Sequence, residues 1–123
     1  PSALLLDQGF IDTGEEVKLY ARGPRVVAMG KKITPPAHDV VGEGVGFLKC
    51  GAIHAPALRV CVDQVRREAG DGAEYEDALD RFLRLVPVGW VDVAGLPWTE
   101  IDFPEDLSRA DREILPRVER RLP

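Results

Sequence analysis

The sequence is short of the residues that build metal and disulfide sites. It holds two cysteines and two histidines among 123 residues. Cys50 and Cys61 are too far apart for a CxxC metal or redox site, so we interpret them as small buried apolar residues in a reducing compartment. His38 and His54 match no metal-ligand spacing. A disulfide scaffold and a zinc-type site are therefore excluded.

The sequence also lacks a long apolar run and an excess of positive charge. No run is long enough to span a bilayer, and we see no basic-then-apolar leader, so we expect a cytoplasmic protein without membrane contact. Lys and Arg number 16 against 21 Asp and Glu, for a net charge of −5. That balance argues against a nucleic-acid groove. The chain begins directly on an apolar run, and we expect it to be a fragment.

The residues that are present predict one small domain with a core, because 45% are hydrophobic and 30% are charged. Hydrophobic periodicity predicts helices over 55–69 and 74–85 and from 104 onwards. Alternation and apolar runs predict strands over 2–6, 40–48, 88–93 and 98–101, with a β-hairpin over 15–30. We expect the first strand to be central in a parallel or mixed sheet. The predicted fold class is α/β, as part of a larger open sheet with an inserted hairpin.

The densest chemical signal lies between residues 98 and 107. On a strand, Trp98, Glu100 and Asp102 point to one side, which places an aromatic ring beside two carboxylates. Carboxylates at the end of a strand in an open α/β sheet are well placed to bind Mg²⁺. Asp102 is equally suited to cap the helix that follows, so both interpretations stay open. Glu105 and Asp106 are typical surface acids at a helix start.

Four motifs follow one another along the chain: Gly30-Lys31, Gly42-Glu43-Gly44-Val45-Gly46, Tyr75-Glu76-Asp77-Ala78-Leu79, and the segment from Trp98 to Leu107. Together they resemble the sugar-phosphate nucleotidyltransferase family, most closely its phosphocholine cytidylyltransferase branch and the phosphonate-pathway relatives. The resemblance runs from about 3 to 116. It implies that residues 1–123 are the C-terminal, acceptor- and metal-binding half of a Rossmann-like, GT-A-like domain with a mixed sheet.

The resemblance also implies an activity and two catalytic positions. The family transfers a nucleoside monophosphate from an NTP, here expected to be CTP, to a phosphorylated acceptor and releases pyrophosphate. Asp102 would hold Mg²⁺ together with an Asp from the N-terminal half, and Glu100 would line the same metal site. Lys31 would meet the phosphate groups. A solvated Lys31 beside a Pro-rich loop is the alternative interpretation.

The acceptor side of the site is implied by the same resemblance. Glu43 would face an acceptor such as phosphocholine or a phosphonate. An aromatic-and-acid pocket would take the ammonium group, with Tyr75 as the best-matched ring, Tyr20 as a looser match and Trp98 as a further candidate. The alternatives are that Glu43 is a charge protecting an edge strand and that Tyr75 only packs.

One expected element is missing from these 123 residues. The family binds its nucleotide with a Gly-rich loop, a following Arg and a Lys-Pro pair, and no such sequence occurs here. We therefore expect the chain to be inactive alone and to pair with an N-terminal half or with its own copy. A sugar-1-phosphate acceptor is one alternative. A non-catalytic binding or assembly module, with an exposed sheet edge, is the other.

Overall fold

The computed structural model describes residues 1–122, which form a five-stranded mixed sheet. The strands are β1 (Ser2–Asp7), β2 (Lys18–Arg22), β3 (Arg25–Gly30), β4 (Val40–Lys49) and β5 (Val88–Asp92), in the spatial order β3-β2-β4-β1-β5. β1 lies between a parallel neighbour, β5, and an antiparallel one, β4. The α/β class, the interior position of β1 and the hairpin of β2 and β3 are thus confirmed, and the sheet is compatible with a Rossmann-like domain.

Two long helices cover one face of this sheet. α1 (Ala55–Ala69) has a proline in its first turn and ends at Gly70, whose positive φ of 54° suits a residue without a side chain. α2 (Tyr75–Leu85) follows after a single 3₁₀ turn. The buried core joins both helices to four of the strands and comprises Leu4, Leu6, Leu19, Val26, Met29, Cys61, Phe82, Leu83, Val86 and Val88. Within the described residues, no helix has the length and apolar character to cross a membrane.

Two glycines of β4 occupy positions that favour glycine for different reasons. A Cβ atom on Gly42 would stand 2.7 Å from Leu6 Cδ1 and 3.0 Å from the Asp7 carbonyl oxygen, so the close approach there comes from β1. Further along, the pairing of β1 with β4 shifts register between Leu4 and Leu6. Gly46 lies in this irregular stretch with a φ of 81°. Glycines within a strand predict either a bulge or a close approach by a ligand. The bulge is confirmed, and the neighbouring strand explains the tight packing at Gly42.

The C-terminal helical segment lies at the surface, with Asp106, Ala110, Ile114 and Val118 half-buried along one side. It consists of α3 (Pro104–Arg109), a π-helical turn (Ala110–Ile114) and α4 (Leu115–Glu119). The apolar spacing predicts an inner face of Leu107, Ala110, Ile114 and Leu115. Ala110 and Ile114 are half-buried, but Leu107 and Leu115 are 59% and 46% exposed, so the prediction is wrong for the two leucines. Pro116 does not stop the helix, because the wider turn before it accommodates the missing N–H.

The predicted strand over 98–101 is wrong. These residues are irregular and lie in a linker between β5 and α3. Pro97 has no N–H to give to a strand ladder, and Pro104 restricts the backbone before it. Side-chain bonds hold the linker instead of a neighbouring strand: Trp98 donates to Asp7, and Arg109 donates to the Thr99 hydroxyl.

Candidate functional site

An acidic cleft of about 470 Å³ opens beside the middle of the sheet. We refer to it as the acidic cleft, and its lining includes one lysine and six carboxylate side chains. The lining residues are Glu15, Val17, Lys31, Glu43, Gly44, Glu74, Tyr75, Glu76, Glu100, Ile101 and Asp102. Five of the predicted site residues, from four separate parts of the sequence, therefore meet in one place: Lys31, Glu43, Tyr75, Glu100 and Asp102.

Each wall of the acidic cleft comes from a different element. Lys31 directly follows β3, where Lys32 takes a left-handed conformation with φ 50° and the chain turns. Glu43 lies in β4, opposite Asp7 of β1 on one side and Lys18 of β2 on the other. Because β4 is paired on both sides at this point, the interpretation of Glu43 as an edge-strand charge is wrong.

The two remaining walls are the start of α2 and the linker before α3. Tyr75 is the first residue of α2 and is 53% exposed, so its ring is available at the cleft rather than packed in the core. Glu100 and Asp102 come from the linker and are both exposed. Both acids line the cleft, as predicted. The predicted reason is wrong, because they lie in an irregular linker and not on one side of a strand.

The linker is anchored at both of its ends. Trp98 Nε1 donates a hydrogen bond of 2.8 Å to Asp7 Oδ2, at the carboxyl end of β1. Asp106 Oδ2 accepts hydrogen bonds from the backbone N–H groups of Asp102 and Phe103, at 3.1 and 3.0 Å. Asp106 is therefore the capping residue of α3, so the interpretation of Asp102 as the cap is wrong, and Asp106 is more than a surface acid.

The acids of the cleft act on one another. The pKa of Glu43 is raised above its ordinary value, first by burial and then by the charges of Glu100, Glu16 and Asp7, while Arg109 opposes the shift. The pKa of Tyr75 is raised by burial and by the charges of Glu76, Glu100 and Glu74. Burial is the first cause of both shifts and nearby carboxylates are the next, a combination that is common where a cation or a proton is bound.

The cleft supplies some, but not all, of the ligands that a metal ion needs. Among residues 1–122, no group of three or more His, Cys, Asp and Glu side chains is arranged to hold a metal ion. Glu100 and Asp102 supply two exposed carboxylates, which are the oxygen ligands that Mg²⁺ prefers. Mg²⁺ usually keeps several waters and phosphate oxygens, so two carboxylates fit one side of such a site.

Two of the predicted substrate-binding rings lie outside the acidic cleft. Tyr20 is 8% exposed and meets the His38 ring edge-on, with the ring centroids 4.9 Å apart. Trp98 is partly buried against Asp7 as described above. Sequence position placed Trp98 beside Glu100 and Asp102, but its ring is turned toward the end of β1.

The sequence argument missed one acid that the fold buries. Glu76 belongs to the Tyr75–Leu79 motif, yet it received no role. In α2 it shares a helix face with Leu79 and Leu83, at spacings of three and seven residues. A charged residue at an apolar-face position is the signal that would have identified it.

Comparison with known proteins gives one related enzyme. No family model matches the sequence. A curated protein of Rubrobacter xylanophilus (strain DSM 9941 / JCM 11954 / NBRC 16129 / PRD-1), named bifunctional IPC transferase and DIPP synthase, is 32% identical over 109 residues. The match covers 86% of this chain and 22% of that protein, so the chain spans about a fifth of the length of its relative. The chain therefore resembles one part of an enzyme that carries two named activities.

Proposed function

We propose that this chain is the acceptor- and metal-binding part of a nucleotidyltransferase. The complete enzyme transfers a nucleoside monophosphate, CMP in our proposal, from an NTP to a phosphorylated small acceptor such as phosphocholine or a phosphonate. The observation that carries the proposal is the acidic cleft, where Lys31, Glu43, Tyr75, Glu100 and Asp102 converge from distant parts of the sequence. The likeness to a named transferase supports it at the level of the enzyme class.

In this proposal the reaction brings two anions together. An oxygen of the acceptor phosphate attacks the α-phosphorus of the NTP, and the bond from that phosphorus to pyrophosphate breaks. Among residues 1–122, Lys31 is the one cation that lines the acidic cleft, and it would neutralise phosphate charge during the attack. Glu100 and Asp102 would hold Mg²⁺, which supplies further positive charge when bound. Positioning by the cleft walls provides most of the remaining rate gain.

The acceptor head group would lie against Tyr75 and the neighbouring carboxylates. The exposed face of the Tyr75 ring attracts a cation by roughly 0.5–2 kcal/mol when water is excluded. Glu43 and Glu100 lie near enough to raise one another's energy as anions, which a cationic ligand would relieve. The nucleotide would be held by a Gly-rich segment outside these 123 residues, so we expect the chain alone to be inactive.

The test is an assay of pyrophosphate release by the full-length gene product with Mg²⁺, CTP and a phosphorylated acceptor. Asp102→Asn keeps the shape of the side chain but weakens it as a metal ligand. Mutation of a residue that only hydrogen-bonds to a metal ligand already costs about 10–100-fold in activity, so mutation of a direct ligand should cost at least as much. Asp111→Asn, on the exposed π-helical turn, is the matched control. A rate for Asp102→Asn within a few-fold of wild type would remove the metal role.

A sugar-1-phosphate acceptor is the nearest alternative within the same class of enzyme. A sugar requires several hydrogen-bond donors and acceptors where an ammonium requires a ring face and negative charge. A panel of acceptors at constant Mg²⁺ and CTP separates the two. The acidic lining and Tyr75 favour the cationic acceptor.

A second candidate function is a non-catalytic assembly module, favoured by the apolar side chains that stand in solvent. Phe47, Val91, Ile101, Phe103 and Leu107 are each more than half exposed. Exposed apolar side chains mark a surface that binds other proteins when they form one contiguous patch. Light scattering on the isolated chain decides whether it assembles. If it is a monomer, and the full-length protein releases pyrophosphate, assembly is excluded as its function.

A further inference from the structure

The carboxylate of Glu76 has an unmet hydrogen bond inside the protein. Glu76 is 8% exposed, and its Oε2 atom has no hydrogen-bond partner in residues 1–122. Polar atoms buried in this way are rare, because they have lost their water without gaining a replacement. Among the described residues, no other buried side-chain atom is left in this state. A ligand with an N–H or O–H group could donate the missing hydrogen bond.

Glu76 lies between two clefts that a ligand could occupy. Glu76 lines the acidic cleft and also a larger cleft of about 790 Å³ between α1, α2 and the end of β3. Glu74 and Lys31 line both spaces as well, so the two clefts meet at these three residues. The Glu76 side chain therefore borders both spaces. Because Oε2 itself is buried, a bound molecule reaches it when the side chain turns toward the acidic cleft.

Packing does not account for a glutamate at this position. Leu79 and Leu83 share the helix face of Glu76, and Leu83 is buried in the core. A leucine at position 76 would bury its side chain there without leaving a polar atom unpaired. The charged group is retained at a cost to stability, which is the pattern of binding residues that are unsatisfied until the ligand arrives.

We propose that Glu76 accepts a hydrogen bond from an N–H or O–H group of the acceptor head group. This inference rests on the proposed function, because it concerns the acceptor of the same cleft, and it narrows the acceptor class. A trimethylated ammonium carries no hydrogen on its nitrogen and leaves Oε2 unpaired. A primary ammonium or a hydroxyl pairs with it. The cleft therefore favours aminoalkyl or hydroxyalkyl phosphates over choline phosphate.

The first test is a binding titration of the full-length gene product. Three probes are compared by calorimetry: 2-aminoethyl phosphate, glycerol 3-phosphate and choline phosphate. We expect at least one of the two donor-bearing probes to bind at least about tenfold more tightly than choline phosphate. In Glu76→Leu that advantage should fall to within about threefold. The inference is overturned if choline phosphate binds as tightly as the other two, or if Glu76→Leu keeps the wild-type ranking.

Two further variants identify the donor and control for charge. Glu76→Gln keeps an acceptor oxygen and the side-chain shape but loses the charge. It should weaken the aminoethyl probe by about tenfold and the glycerol probe much less if the donor is an ammonium, and affect both alike if it is a hydroxyl. Asp77→Asn removes an exposed acid of α2 that does not line the acidic cleft, and it should keep the wild-type ranking. An Asp77→Asn protein with the ranking of Glu76→Leu would assign the effect to overall charge and overturn the inference.

The Tm without ligand distinguishes a binding residue from a purely structural one. Substitution of Glu76 should raise the Tm if the residue serves binding and lower it if the residue only supports the fold. Removal of an unpaired buried carboxylate should raise the Tm of Glu76→Leu above wild type. A Tm lowered by several degrees, in both Glu76→Leu and Glu76→Gln, would mean that Glu76 is paired in the free protein and would refute the inference.

The failure of this inference can be told apart from failure of the proposed function. Absent pyrophosphate release together with the expected Glu76-dependent ranking would refute nucleotidyl transfer and leave the binding role intact. Pyrophosphate release from all three probes at similar efficiency, unchanged by Glu76→Leu, would refute the binding role and leave nucleotidyl transfer intact.

Discussion

The indole nitrogen of Trp98 donates a 2.8 Å hydrogen bond to the Asp7 carboxylate, which joins the linker to the carboxyl end of β1. Asp7 lies opposite Glu43 in the sheet, so the same bond fixes the linker beside the acidic cleft. Glu100 and Asp102 follow Trp98 by two and four residues. Their position in the cleft thus depends on a ring that does not itself line it.

Trp98→Phe should loosen the linker and lower the stability of the protein. The substitution leaves Asp7 Oδ2 without its donor, while Oδ1 still accepts from the Gly9 N–H, and loss of the bond costs about 1–3 kcal/mol. Denaturant unfolding measures the loss, and amide hydrogen exchange over 94–103 should accelerate. Trp90→Phe is the matched control, since it removes a similar 3.0 Å bond to the Gly23 carbonyl at the hairpin turn. If both variants accelerate exchange in the linker equally, Trp98 has no special anchoring role.

The architecture could be predicted from the sequence because its signals are local. The helix over 55–69 follows from the spacing of Cys61 and Val65, which are buried, and from Gly70 directly after it. The hairpin follows from two alternating runs around Gly23 and Pro24. These features depend on the burial of one face and on turn chemistry, both of which neighbouring residues specify.

The site could be predicted only in part because its geometry is not local. Residues of the acidic cleft were named from motifs, but the strand meant to align Glu100 with Asp102 does not form. Trp98 and Asp106 hold the linker through contacts that lie up to 91 residues apart in sequence. The missing partner of Glu76 Oε2 is a property of packing around α2, and no local pattern reports it.

Gly42→Ala should destabilise the contact between β4 and β1. The added methyl group would stand 2.7 Å from Leu6 Cδ1 and 3.0 Å from the Asp7 carbonyl oxygen. Overpacking of this kind costs about 1–3 kcal/mol, measured by denaturant unfolding. Gly72→Ala, where a Cβ meets nothing within 4 Å, should leave stability unchanged or slightly improved. Equal losses in the two variants would contradict the steric explanation.

Asp106→Ala should fray the start of α3 and release the linker end that carries Asp102. Asp106 accepts bonds from the Asp102 and Phe103 N–H groups, and loss of such a cap costs about 0.5–2 kcal/mol. Hydrogen exchange at residues 102–107 should accelerate. Glu105→Ala, an exposed neighbour in the same turn, should leave that exchange unchanged. Unaltered exchange in Asp106→Ala would show that the cap does not hold α3 in solution.

Glu43 should make the protein less stable as pH rises. Its folded-state pKa is raised above the ordinary value of 4.5, so between the two values the folded state binds more protons than the unfolded state. The free energy of unfolding therefore decreases as pH rises from below 4.5 through the folded pKa. Glu43→Gln removes this decrease, so its unfolding free energy, measured with denaturant from about pH 4 to 7, should fall less than that of wild type.

Glu68→Gln is the control of opposite sign for that experiment. The hydrogen bond from Arg81 lowers the pKa of Glu68 below 4.5, so the stability it contributes is present above that value and is lost as pH falls through the folded pKa. Its removal should therefore make the unfolding free energy fall more steeply with rising pH, or rise less. Because Glu68 lies outside the acidic cleft, its effect should not depend on Glu100. The Glu43 effect should shrink in Glu100→Gln, since the charge of Glu100 is the second cause of the raised Glu43 pKa after burial. A Glu43→Gln slope equal to that of wild type would refute the raised pKa of Glu43. A Glu43→Gln effect that stays undiminished in the Glu100→Gln background would refute the electrostatic coupling across the cleft.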